Sequence, residues 1–311
     1  IVPLSRESGP IQAEAMTSWG DARRLASCCW GCSKKAICGI LLLMEFSAEL
    51  RSKKSRLEQL IQEWPSALVA YSGGVDSAFL LWFAHQILGA KVTGILGDSP
   101  SLPRSEHAAA LAFAEKHNLP LEVLRTLELD DPSYASNPPN RCYFCRSELF
   151  QRMEEVAKLR GVAILAYGEN FDDSREIRPG RAAAGEFSVA APLRDAGLTK
   201  ADVRALAHAA RLDVAEKPAA PCLSSRLAPG LAVTPERLAA IEQAEGAVRS
   251  HGFRIIRVRH LGIKALVQVS PEETQRLQSP MVQSALTPAI LSAGFSEVEF
   301  DPIGYQGAGL R

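Results

Sequence analysis

At 311 residues the chain is long enough for two hydrophobic cores, since a single core usually stops growing near roughly 250–300 residues. Apolar residues make up 47% and charged residues 23%, an ordinary balance for a soluble globular protein. Lys plus Arg and Asp plus Glu each total 35, so no global basic field points to nucleic acid or an anionic membrane, and no stretch reaches the ~20 apolar residues that span a bilayer.

Residues 1–43 show no periodicity and no clear cap or turn pattern, and read as a non-native or disordered extension ahead of an enzyme-like start at Met44. Ala36–Met44 follows Lys34-Lys35 and faintly resembles a signal-peptide core, but the cleavage pattern is poor. Cys28, Cys29, Cys32 and Cys38 fall in this stretch without a second ligand pair to complete a metal knuckle. With Cys142, Cys145 and Cys222 the count is seven, an odd number without the spacing of a secreted disulfide framework, so a reducing compartment, the cytoplasm, is expected.

From Ala67 to about Leu193 short apolar runs alternate with helical stretches, the pattern of an α/β fold with a doubly wound, mainly parallel sheet. Strands are expected at Ala67–Tyr71, Lys91–Gly97, Leu121–Leu127 and Val162–Tyr167, with a further one before Pro192-Leu193. Helices are expected from Asp76 to about Leu88, at Pro103–His117, from about Tyr143 to Leu159 and at Thr199–Leu212, while Gly168–Arg181 reads as a polar functional loop. Ala215–Gly230, with Pro218, Pro221 and Pro229, reads as an irregular connector. The tail follows as helix (Pro235–His251), strands (Arg254–Arg259, Lys264–Ser270), helices (Pro271–Ala293) and strand (Glu297–Asp301), a small α+β domain.

Between the first strand and its helix lies Ser72-Gly73-Gly74-Val75-Asp76-Ser77. Glycines let the backbone approach an anion closely, and a helix N-terminus offers unpaired N–H groups with a partial positive charge. The hydroxyls of Ser72 and Ser77 add donors, and Asp76 can help hold Mg²⁺ against phosphates. Walker-type loops end in Gly-Lys-Ser/Thr; no lysine stands here, which leaves the work to backbone amides and magnesium. The hexapeptide resembles the PP-loop of the N-type ATP pyrophosphatases, which cleave ATP to AMP and pyrophosphate through an adenylated intermediate.

Further motifs narrow the resemblance: Gly97-Asp98-Ser99-Pro100-Ser101-Leu102-Pro103, Arg141-Cys142-Tyr143-Phe144-Cys145, Gly168-Glu169-Asn170-Phe171-Asp172-Asp173 with Arg178-Pro179-Gly180, and Pro221-Cys222-Leu223-Ser224-Ser225-Arg226. In this order, from about Met44 to the C-terminus, they resemble the LarE-type ATP-dependent sulfur transferases of nickel-pincer nucleotide biosynthesis. The resemblance implies a PP-loop domain over 44–215, and over 216–311 a connector with a small substrate- and phosphate-binding domain. It implies that ATP adenylates a carboxylate of pyridinium-3,5-biscarboxylic acid mononucleotide, after which sulfur displaces AMP to leave a thiocarboxylate. Ser72, Gly73, Gly74, Asp76, Ser77, Ser99, Asp172, Asp173 and Arg178 would then bind ATP and Mg²⁺. Ser225, Arg226, Glu245, Arg257 and Arg259 would bind the substrate phosphate; Arg257 and Arg259 alternate on a strand and so share a face.

The sulfur source has two readings within the family. Cys142 and Cys145, three apart on one helix face, with Cys222 from the connector, would hold a [4Fe-4S] cluster with one iron free of protein ligands; alternatively Cys222 gives up its own sulfur. A zinc site, a redox pair and buried free thiols are the plainer alternatives. Glu176, Ser188 and Ala191 depart conservatively from the family pattern. The rival functions are a tRNA thiolase of the same loop class, an ammonia-dependent NAD or GMP synthetase-like ligase, and an ATP-sensing or Fe–S storage module. The resemblance also implies a homo-oligomer that works with other enzymes of nickel-pincer cofactor biosynthesis.

Overall fold

The computed structural model describes residues 46–175 and 179–305. The extension with its four cysteines, the signal-like stretch, Glu176 and Arg178 lie outside the described residues. Glu49–Arg311 forms one compact unit that carries two sheets.

The larger sheet has four parallel strands, β1 (Ala67–Ala70), β2 (Val92–Asp98), β3 (Leu121–Arg125) and β4 (Ile164–Tyr167), in the order β3-β2-β1-β4. β1 reads ALVA without alternation because both of its faces are covered, as parallel strands require. The chain steps outward from β1 to β3, then returns to place β4 on the far side of β1. Such a reversal opens a crevice beyond the carboxyl ends of the strands, directly after β1. Helix α1 (Ala48–Gln62) precedes the sheet, and α2 (Val75–Leu88), α3 (Arg104–Lys116) and α4 (Arg141–Arg160) form the crossovers. α2 buries eight of its residues, including Phe79, Leu80 and Leu81, and stops at Gly89, whose φ of 60° suits a residue without Cβ.

Two features differ from the sequence expectation. The strand expected before Pro192-Leu193 is reduced to one bridge, Ala190 against Ala166. Ser188 sits at φ 51°, which reverses the chain on one side, and Pro192 opens the short helix Pro192–Asp195 on the other, so no ladder can grow. The polar loop ends earlier than Arg181, in the helix Gly180–Glu186. The amphipathic helix appears as α5 (Lys200–Ala209), opened by a reciprocal capping box between Thr199 and Asp202.

The second sheet pairs β5 (Ile256–Leu261) antiparallel with β6 (Lys264–Val269), and β6 parallel with β7 (Glu297–Phe300). Helices α6 (Pro235–Ser250) and α7 (Pro280–Ser292) supply Ile241, Ala244, Val248, Leu286 and Ile290 to a core with Ile256, Val258, Val267 and Val269. That core extends to Tyr134 and Leu223 and packs against Phe144 and Cys145. The cysteine-bearing segments therefore lie where the small sheet's core meets the first sheet's crevice.

Candidate active site

The Ser72–Ser77 loop leaves β1 at the crevice. Gly73 has φ +71°, and a Cβ there would stand 2.9 Å from the Ala110 Cβ, so only glycine fits without a shift. Gly74 occupies the N-cap of α2 without any side-chain cap, which leaves the first amides of the helix open to an anion. The end of β4 presses on the same point: a Cβ on Gly168 would fall 2.7 Å from the Ser77 nitrogen. The two serines brace the loop, since Ser77 Oγ accepts from the Ser72 amide at 3.1 Å and donates to the Gly74 carbonyl at 3.1 Å.

Asp76, in the first turn of α2, divides its carboxylate between two tasks. Oδ2 pairs with Lys200 Nζ at 2.5 Å, and Oδ1 is buried without a hydrogen-bond partner. An orphaned carboxylate oxygen beside open helix amides suits a cation that bridges to phosphate. Mg²⁺ takes one or two carboxylates and completes its shell with water and phosphate oxygens. Among the described residues no three His, Cys, Asp or Glu side chains gather as a preformed ion site. Asp172 accepts the Lys200 amide at 2.8 Å, and Asp173 lines the cleft.

Two lysines that the loop's own sequence lacks arrive from elsewhere. Lys200 comes from the start of α5, and Lys217 donates to the Gly73 carbonyl at 3.0 Å while pairing with Glu106 at 2.7 Å. Arg204 holds the Lys217 carbonyl at 2.9 Å, which fixes the connector against α5. Next to the loop, Glu169 is buried between Arg181 and Arg194, each at 2.9 Å, with the Tyr167 hydroxyl at 2.6 Å. Burial works to raise its pKa, but the Tyr167 hydroxyl and the two guanidinium groups outweigh it and hold the carboxyl below its ordinary range.

Two of the three thiols face the same space. A cleft of about 430 Å³ is lined by Ser72, Gly74, Asp76 and Ser77 from the loop, and by Cys145 and Cys222. Cys142 is exposed in the first turn of α4. The Cys145 thiol is pushed far up by burial and then by the nearby charges of Glu128, Cys222 and Cys142. Burial also raises Cys222; Arg141 opposes this, and Cys142 adds to it. The three thiols do not gather tightly enough to hold a single ion, but cysteine sulfur is the donor type that an iron–sulfur cluster takes, and two of the three line the cleft.

Cys222 is held by its backbone neighbours. The Leu223 amide donates to the Ser101 carbonyl at 2.8 Å. Ser101, Tyr134 and Ser224 join their hydroxyls in a closed triangle with edges of 2.7, 2.8 and 2.8 Å. Three donors and three acceptors are mutually satisfied there, and Tyr134 is 1% exposed. Tyr134→Phe is expected to cost about 1–2 kcal/mol of stability, read as a lower urea midpoint at unchanged slope. An unchanged midpoint would show that the triangle does not hold the connector.

The residues expected to bind the substrate phosphate are largely engaged with one another. Arg226, 3% exposed, clamps Glu245 at 2.9 and 3.3 Å and donates to the Cys222 carbonyl at 2.9 Å, while Ser225 Oγ donates to that same carbonyl at 2.8 Å. Glu245 also accepts the Val258 amide at 3.2 Å, which ties β5 to the connector. Arg257 lies 4.9 Å from the Tyr305 ring centre, and burial followed by the adjacent Arg226 lowers its pKa. Arg259 donates to Gln268 at 2.7 Å. Ser99, expected at the nucleotide, gives its hydroxyl to Glu128. Sequence reading missed Glu128, Tyr134, Lys200 and Lys217, for which no local motif gave a signal.

No protein-family model matches the chain. It is 31% identical over 213 residues to the pyridinium-3,5-bisthiocarboxylic acid mononucleotide synthase of Lactiplantibacillus plantarum, covering 68% of this chain and 77% of that protein. An uncharacterized protein of Synechocystis sp. is 37% identical over 262 residues, 84% of this chain and 98% of its own length. Another, from Methanocaldococcus jannaschii, is 27% identical over 229 residues, 74% and 87% of the two chains. Read together with a four-stranded parallel α/β sheet whose crevice holds the glycine loop, these likenesses show that the chain belongs to the LarE family of sulfur transferases.

Proposed function

We propose that the protein uses ATP to adenylate a carboxylate of pyridinium-3,5-biscarboxylic acid mononucleotide and then replaces AMP with sulfur, giving a thiocarboxylate. The observation that carries this reading is one cleft that holds both the open-amide loop with the orphaned Asp76 oxygen and the thiols of Cys145 and Cys222. Activation and sulfur delivery need such adjacency, because an acyl adenylate exposed to water hydrolyses before a distant sulfur can reach it.

The amides after Gly74 hold the phosphates, Asp76 would hold Mg²⁺, which when bound supplies positive charge to them, and Lys200 and Lys217 balance the charge that grows on departing pyrophosphate. The substrate carboxylate oxygen attacks the α-phosphorus, pyrophosphate leaves, and the carboxyl carbon becomes electrophilic as a mixed anhydride. Sulfur then adds to that carbon and AMP departs with the carboxylate oxygen. Cys142, Cys145 and Cys222 would hold a [4Fe-4S] cluster, which when bound supplies a sulfide. Arg226 and Ser225 both donate to the Cys222 carbonyl, which fixes the backbone that carries that thiol.

The test is a turnover assay of anaerobically prepared protein with ATP, Mg²⁺ and the pyridinium mononucleotide. AMP and pyrophosphate are expected in equal amounts and only with that substrate present, and its mass should rise by one oxygen-for-sulfur exchange. AMP formation driven by bulk tRNA or by ammonia instead would transfer the chain to the tRNA thiolases or the synthetase-like ligases.

A further inference from the structure

We propose that Glu128 is the anion that recognises the positively charged ring of the substrate, an assignment that rests on the pyridinium mononucleotide reading above. Glu128 opens a short 3₁₀ turn just after β3, is 2% exposed, and lines the cleft. Its Oε1 accepts the Ser99 hydroxyl, while its Oε2 is buried with no hydrogen-bond partner. Among the described residues no lysine, arginine or histidine forms an ion pair with it, whereas the other buried carboxylates, Glu169 and Glu245, each clamp arginine. A carboxylate taken out of water with half its acceptor capacity unused is costly to keep, and such a group persists where a ligand completes it.

The position selects the ligand's charge. Glu128 follows β3, two strands from the loop after β1, hence about 10 Å across the crevice at ~4.8 Å per strand. Mg²⁺ is accounted for at Asp76 on the other side. Ser99 touches Glu128, and Cys145 and Cys222 line the same cleft, where the activated carboxyl carbon must meet sulfur. The reacting molecules bring phosphates and carboxylates, all anionic, and one fixed positive charge, the ring nitrogen. That nitrogen bears the ribose and has no N–H to donate, so what it seeks is a charge, helped by polarised ring C–H groups against a carboxylate oxygen. The same anion repels a dicarboxylate whose ring is neutral, so Glu128 also sets specificity.

Glu128→Gln keeps size and both the acceptor and the Ser99 contact but removes the charge. In the AMP-release assay with the full-length protein, E128Q is expected to raise the KM for the pyridinium mononucleotide by about 10- to 100-fold, with the KM for ATP within about twofold of wild type. A neutral-ring counterpart, benzene-1,3-dicarboxylate carrying the same ribose phosphate, should inhibit E128Q more strongly than wild type. Glu128→Asp, which keeps the charge, should restore part of the discrimination and shows whether a weak E128Q simply folds badly. Equal substrate KM in wild type and E128Q, or a defect confined to ATP, overturns the assignment. Wild-type protein that binds no pyridinium mononucleotide in calorimetry removes the parent reading and this one together; binding that ignores residue 128 removes only this one.

Discussion

Asp76→Asn is expected to lower substrate-dependent AMP release by at least about a hundred-fold while leaving the protein folded. The side chain keeps its shape and can still accept from Lys200, so the loop and the start of α2 retain their contacts. What disappears is the charge on the unpartnered oxygen, the one feature of the loop suited to a divalent ion. Without it Mg²⁺ loses its protein anchor, and the charge that builds on the leaving pyrophosphate falls on backbone amides and two lysines alone. Raising Mg²⁺ should recover part of the rate, since the defect is in ion positioning. An Asp76→Asn protein that turns over at the wild-type rate at ordinary Mg²⁺ would show that Asp76 serves only to hold Lys200. A urea midpoint near that of wild type keeps the comparison free of misfolding.

The second large effect separates the two halves of the reaction. In Cys222→Ser, AMP and pyrophosphate should continue to appear within a few-fold of the wild-type rate, while thiocarboxylate falls by at least about a thousand-fold. Serine preserves the amide and carbonyl contacts through which Ser101, Ser225 and Arg226 place this residue, so adenylation loses little. Water then consumes the adenylate and returns the original carboxylate with AMP. Loss of both activities would mean that Cys222 shapes the nucleotide site instead of the sulfur step. Cys142→Ser refines the result: joint dependence on Cys142, Cys145 and Cys222 is what a shared cluster requires, whereas a sacrificial Cys222 leaves the exposed Cys142 dispensable.

What could be read from the sequence follows how local each interaction is. β1 and α2 are continuous apolar runs on either side of a glycine loop, and both their type and boundaries emerge from residues within a few positions of each other. Cys142 and Cys145 share a helix face for the same reason, although α4 starts at Arg141, ahead of the expected Tyr143. The expected strand before Pro192 failed because Ser188 takes up a left-handed conformation that its residue type does not announce. Lys200 and Lys217 reach a loop more than a hundred residues earlier, and Ser99 and Glu128 meet only because β2 and β3 lie side by side. Arg226 illustrates a different limit: the resemblance makes it an expected anion ligand, yet burial commits its donors to Glu245 and to the backbone around Cys222, which no pattern of neighbours reveals.

Activation of the substrate carboxylate by transfer to AMP is the step on which the other assignments depend. The direct measurement is to supply the pyridinium mononucleotide with its carboxylate oxygens isotopically heavy and to weigh the AMP released in a single turnover. Attack on the α-phosphorus followed by displacement at carbon carries one heavy oxygen into the phosphate of AMP for each thiocarboxylate formed. AMP of ordinary mass alongside labelled product, or heavy oxygen recovered in pyrophosphate, would contradict the account.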